Sequence, residues 1–141
     1  MAGKSDYLEN RILDHILGAV ASTAPATVYV GLVTTLPNDA STSGSLTPGV
    51  EVSGGAYARV AVTNNATNWP AASAGAKANG TAITFPAPTA NWGVIVGFFI
   101  ADVASGAGNI YYWGAITPNK TVNNADPAPS FAIGDLDVTE E

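Results

Sequence analysis

From Thr27 to the end, glycine, proline and asparagine divide the chain into about eight short segments, and none of them repeats apolar residues at helical spacing. That punctuation leaves short strands as the available element. Thr27 to Thr35 reads TVYVGLVTT, with Val28, Val30 and Leu32 on one face and Tyr29 and Val33 on the other, the period of two of a strand. Strands are also expected at Val50 to Ser53, Tyr57 to Thr63, Thr81 to Phe85, Trp92 to Ala101, Asn109 to Thr117 and Leu136 to Thr139, with a broken stretch from Thr121 to Ile133. Trp92 to Ala101 and Ile110 to Ile116 are apolar on both faces and are expected to be central. Many short strands with turn residues between them point to a sandwich, a jelly roll or a barrel. Leu36 to Pro48, rich in Ser, Thr, Asn, Pro and Gly, is expected to be a long contact loop, and Asn64 to Gly80 is a second polar excursion around Trp69.

Ahead of this region lies the one helical pattern. Asp6 and Glu9 have capping-box spacing, Leu8, Ile12, Leu13, Ile16 and Leu17 share one half of a helical wheel, and Gly18 supplies a stop. A helix of about three turns is marginal in water, so its apolar face must pack on its own domain or on a neighbour. The chain thus divides into an N-terminal helical arm, 1–20, and a single β domain, 26–141.

The 141 residues suit one domain with a core of its own, and the absence of cysteine removes disulfides, thiolate metal sites and cysteine nucleophiles together. Charged residues make up only 11% of the chain, against about 25% in an ordinary soluble domain. A surface so poor in charge suits an exterior that faces other protein. The net charge is −6, and the basic residues Lys4, Arg11, Arg59, Lys77 and Lys120 are scattered, so no stripe exists to neutralise phosphates and no direct nucleic-acid partner is expected. Neither a signal sequence nor a membrane span is evident, which makes the cytoplasm of the producing cell the expected site of synthesis.

Nothing in the sequence has the specificity of a catalytic or cofactor motif. His15 and its neighbour Asp14 point about 100° apart on a helix and cannot form a dyad, so His15 reads as a surface or interface residue. Asp135 and Asp137, followed by Glu140 and Glu141, have the spacing of a calcium pair but lack the EF-hand pattern, and read as solvated carboxylates. Gly54-Gly55 and Gly106 to Gly108 precede strands and read as turns. The sequons at Asn65, Asn79 and Asn119 are chance matches in a Thr- and Asn-rich chain. Trp69, Trp92 and Trp113 read as core and interface residues, with a carbohydrate platform as the functional alternative. No catalytic residue, metal or cofactor is therefore assigned, and an enzyme is not expected.

The blocks YLENRILDHILG, APATVYVGLVTTLP, VSGGAYARVAV, TAITFPAPTANWG, GFFIAD and SFAIGDLDVT, in that order from residue 7 to residue 139, resemble a family of small tailed-bacteriophage virion proteins. The resemblance implies a structural virion part. More narrowly, it implies a cement or decoration protein with a jelly-roll-like antiparallel β-sandwich behind the N-terminal helix. Such a protein pairs with itself, binds the major capsid protein on the outside of the head and bridges capsomers. The candidate interface residues are Leu8, Ile12 and Ile16 on the helix, and Leu36, Pro37, Leu46 and Pro48 in the long loop. A tail or tail-fibre component is the first alternative and a carbohydrate-binding module the second.

Overall fold

The computed structural model describes residues 2–140. In chain order the elements are β1 (Ala2–Lys4), α1 (Asp6–Leu17), β2 (Thr27–Thr35), β3 (Val50–Glu51), β4 (Val60–Thr63), β5 (Ala76–Ala78), β6 (Ile83–Thr84), β7 (Gly93–Ala101), β8 (Ile110–Val122), β9 (Ser130–Phe131) and β10 (Asp137–Thr139). The protein is mainly β with one N-terminal helix. Its largest sheet runs β1-β8-β7-β2-β3, with β4 also paired to β2, and every pairing is antiparallel. Two separate two-stranded ribbons, β10-β5 and β6-β9, complete the strands. The described strands therefore form one large sheet and two ribbons, and they do not assemble into the two four-stranded sheets of a closed jelly roll.

The sheet is buried on both faces, as the two long apolar segments require. Val28, Val30 and Leu32 of β2 and Phe98 and Ile100 of β7 point into the main core. Ile83, Phe85, Leu136 and Val138, from the ribbons and their flanks, close over that side with Trp69 and Trp92. Alternate residues, Val33, Phe99, Ala101 and Ile110, enter a second core on the opposite face. That face is covered by the Leu36–Pro48 segment, through buried Leu46 and half-buried Leu36. Gly31 is needed here because a Cβ at that position would run into the ring of Phe99. The sequence pattern anticipates both faces of β2, but it cannot say which distant segments cover them.

Two strands lie where no strand pattern was visible. β1 pairs with β8 through Ala2 to Gly114, Gly3 to Trp113 and Lys4 to Tyr112, so the first residues of the arm extend the main sheet. β5 lies inside the polar Asn64–Gly80 excursion and pairs with β10. Both are three residues long, too short for a period of two to register.

Several titratable groups are tied to burial in this fold. The Tyr57 hydroxyl is pushed well above the ordinary phenol range, first by burial and then by the Glu51 charge, and it accepts the Leu32 N–H at 2.9 Å. Burial, then a bond to Glu140, raises Tyr112 as well. Lys4 is raised chiefly by its bond to Glu140. Groups raised in the native state stabilise it fully below their unfolded values and lose that contribution as pH climbs. Stability to urea is thus expected to stay level from neutral pH to about 9 and to fall above about pH 10, where unfolded tyrosines ionise. Urea midpoints measured across that range test this; a midpoint that holds or rises to pH 11 would refute it.

Candidate interaction surface

Ser5 is the hinge on which the N-terminal arm is set. Its side chain is wholly buried, donates to the Ile110 carbonyl, and accepts the Leu8 N–H at 3.3 Å as the N-cap of α1. The capping-box spacing of Asp6 and Glu9 had placed the cap one residue too late; those two acids instead occupy the first turn, where they complement the helix dipole. The Asp6 N–H is bonded to the Asp39 carbonyl at 2.8 Å, and the Tyr7 and Tyr111 rings meet at 5.8 Å. Arg11 then reaches to Tyr7, Tyr111, the Ser22 hydroxyl and the Thr23 carbonyl, tying the middle of the helix to its own return segment. At the far end, the Asp14 carbonyl accepts from both Gly18 and Val20, with Ala19 in the left-handed region at φ 54°.

These ties hold α1 beside the β body without packing it there. No residue of the helix is buried. Between helix and body lies an apolar cleft of about 560 Å³, bounded by Leu8, Ile12 and Ile16 on one side and by Val28, Trp69, Ile100 and Val138 on the other. Arg11, His15, Lys77 and Glu140 supply its polar rim. Glu140 is already engaged, accepting from Lys4 Nζ at 2.6 Å and from the Tyr112 hydroxyl at 2.7 Å.

The residues singled out in the sequence fall into two groups. Leu8, Ile12 and Ile16 come together on the cleft, with Leu8 half-buried and Ile16 70% exposed. In the long loop, Pro37 and Leu46 are buried and Leu36 is half-buried, all turned toward the body, while Pro48 is exposed. The loop does not come together with the helix face. What the wheel did not separate is a second apolar pair on α1, Leu13 and Leu17, which is exposed and does not border the cleft. The spacing was visible in the sequence, but a half-wheel merges two rows into one face.

The other candidates find structural roles. His15 is exposed, with Nδ1 at 3.0 Å from the Val20 carbonyl. Asp135 accepts the Ala132 N–H in a turn, and Asp137 lies exposed on β10. Glu141, the last of the acidic tail, falls outside the described residues. No group of three or more His, Asp or Glu side chains is gathered among the described residues. Trp69 and Trp92 are core residues and Trp113 is half-buried against the second core, so they do not form a carbohydrate platform. Asn79, one of the sequon residues, is buried with its side-chain amide fully bonded.

Residues 3–139 match the model of a protein family described as podophage GP4 fiber I protein gp80. No curated protein matches the chain. The family match places the protein in a phage virion and corrects the narrower expectation: its relatives are fibre proteins, not head cement or decoration proteins. The capsid exterior as location and the major capsid protein as partner fall with that expectation. The ordered sequence blocks carried the virion identity, but they lie in turns and core strands, which do not say where in a particle the fold is used.

Proposed function

The chain belongs to the podophage GP4 fiber I protein gp80 family, and on that footing we propose that it is a structural component of the phage tail-fibre apparatus. The family match over residues 3–139 is the observation that carries the reading. Its partners are then tail components. The protein is read as working by filling and joining: its lone histidine is exposed and engaged with a backbone carbonyl, Asp135 serves as a turn acceptor, and Glu140 and Glu51 are ion-pair partners. The β body is read as a jelly-roll-like sandwich in its layering, supported by the way the two ribbons cover one face of the main sheet.

Gold-labelled antibody on intact virions is expected to decorate the tail, with quantitative mass spectrometry giving far fewer copies than the major head protein. Label spread over the head at near-equal copy number would end this reading.

A further inference from the structure

Of the nine large apolar side chains exposed among the described residues, six lie between Tyr7 and Val20. At about 100° per residue, Leu8 and Ile12 look toward the body. Leu13 and Leu17 look away from it, with Ile16 at the seam. Their exposures are 54% for Leu13, 70% for Ile16 and 81% for Leu17, and Val20, past the C-cap, is 56% exposed. The spacing i, i+3, i+4 within the helix is that of anchors on a helix laid into a groove of another protein.

The charge around this row has one sign. Asp6 and Glu9 continue it toward the N-terminus, and Asp14 borders it. Both basic side chains of the helix are turned elsewhere, Arg11 to Tyr7, Tyr111, Ser22 and Thr23, and His15 to the Val20 carbonyl. Asp6 and Glu9 favour the helix through its dipole, but Asp14 sits in the last turn, where an acid works against it.

We infer that the outward row of α1 docks into a different protein of the virion, one offering an apolar groove bordered by lysine or arginine. A second copy is a poor fit, because it brings the same acidic border and a net charge of −6 against its twin. The inference needs the chain to be a virion part and is independent of its placement in the fibre.

The test places a photo-cross-linking benzoylphenylalanine at Leu17 of the full chain, supplied to phage grown without the wild-type copy. Irradiated particles are expected to yield a cross-link to a non-identical virion protein, at a segment flanked by Lys or Arg. A cross-link to α1 of a second copy, or no protein cross-link, overturns the inference. In parallel, Leu17→Glu is expected to lower copies per particle roughly 30-fold, the scale of a lost anchor residue, and Asp14→Lys several-fold. Neither change should move the unfolding midpoint of the isolated chain by more than about 3 °C, the scale of the helix-dipole effect, since neither side chain packs on the body. Occupancy of Leu17→Glu within twofold of wild type also overturns it.

Discussion

Arg59→Ala is expected to cost about 3–5 kcal/mol of folding stability, the range for removing one partner of a buried ion pair. The Arg59 side chain is only 3% exposed, and its guanidinium meets Glu51 in a two-pronged contact, Nε to Oε1 and Nη2 to Oε2, both at 2.8 Å. The same group donates to the Ser43 carbonyl at 2.8 Å and the Val103 carbonyl at 3.0 Å, and it stacks 4.9 Å from the centre of the Phe99 ring. Alanine would leave a carboxylate and two carbonyls short of a donor and open space beside Phe99. It would also remove one of the ties between the Leu36–Pro48 loop and the 102–109 turn, leaving those that Ser43 makes to the Gly106 and Gly108 carbonyls. Against a total stability of about 5–15 kcal/mol for a domain, that is a large share. A fall of 10 °C or more in the thermal midpoint is the expected reading. Arg59→Lys keeps the charge but not the fork, and should fall between the two. A loss under 1 kcal/mol for alanine would show that the pair is not holding these segments.

The second large effect is expected at Asn79, which is 2% exposed. Its amide nitrogen donates to the Thr81 and Ala132 carbonyls, each at 2.8 Å, and its side-chain oxygen accepts the Leu136 N–H at 2.9 Å. Its own backbone adds bonds to the Leu136 carbonyl and the Gly134 N–H. Asn79→Ala orphans the Thr81 carbonyl and the Leu136 N–H, while the Ala132 carbonyl keeps the Asp135 N–H at 3.1 Å; at about 1 kcal/mol or more for each orphaned group, a loss of about 2 kcal/mol is expected in urea unfolding. Hydrogen exchange gives a local reading of the same event: the Leu136 amide should lose protection far more than amides of β7. Equal protection in the two proteins would rule out Asn79 as the pin between the β5 region and the segment leading to β10.

Neither residue stood out in the sequence. Arg59 was one of five scattered cations, and Asn79 looked like a chance sequon in an Asn-rich chain. Each acts through partners far along the chain, Val103 for Arg59 and Leu136 for Asn79, and no local pattern encodes such pairings. The helix was easier to read, because its periodicity is local, and its apolar half-wheel did form on Asp6–Leu17. The division of that half-wheel into a row facing the body and a row facing outward needed the position of the β body, which holds the helix along one side through Ser5, Asp6, Tyr7 and Arg11.

The sequence by itself determined that this chain is mainly β behind one short helix, that the Trp92–Ala101 and Ile110–Ile116 segments are interior strands, and that the protein is a phage virion part. Those follow from turn residues, alternation and the order of its blocks, all of which act over a few residues at a time. The tertiary structure alone decided that the strands make one sheet with two ribbons, and that the long loop caps the second core. It also decided that Leu13, Ile16 and Leu17 on α1 are left exposed. Strand pairing and coverage are settled by contacts between segments tens of residues apart, where hydrophobic area and buried polar groups must be satisfied together.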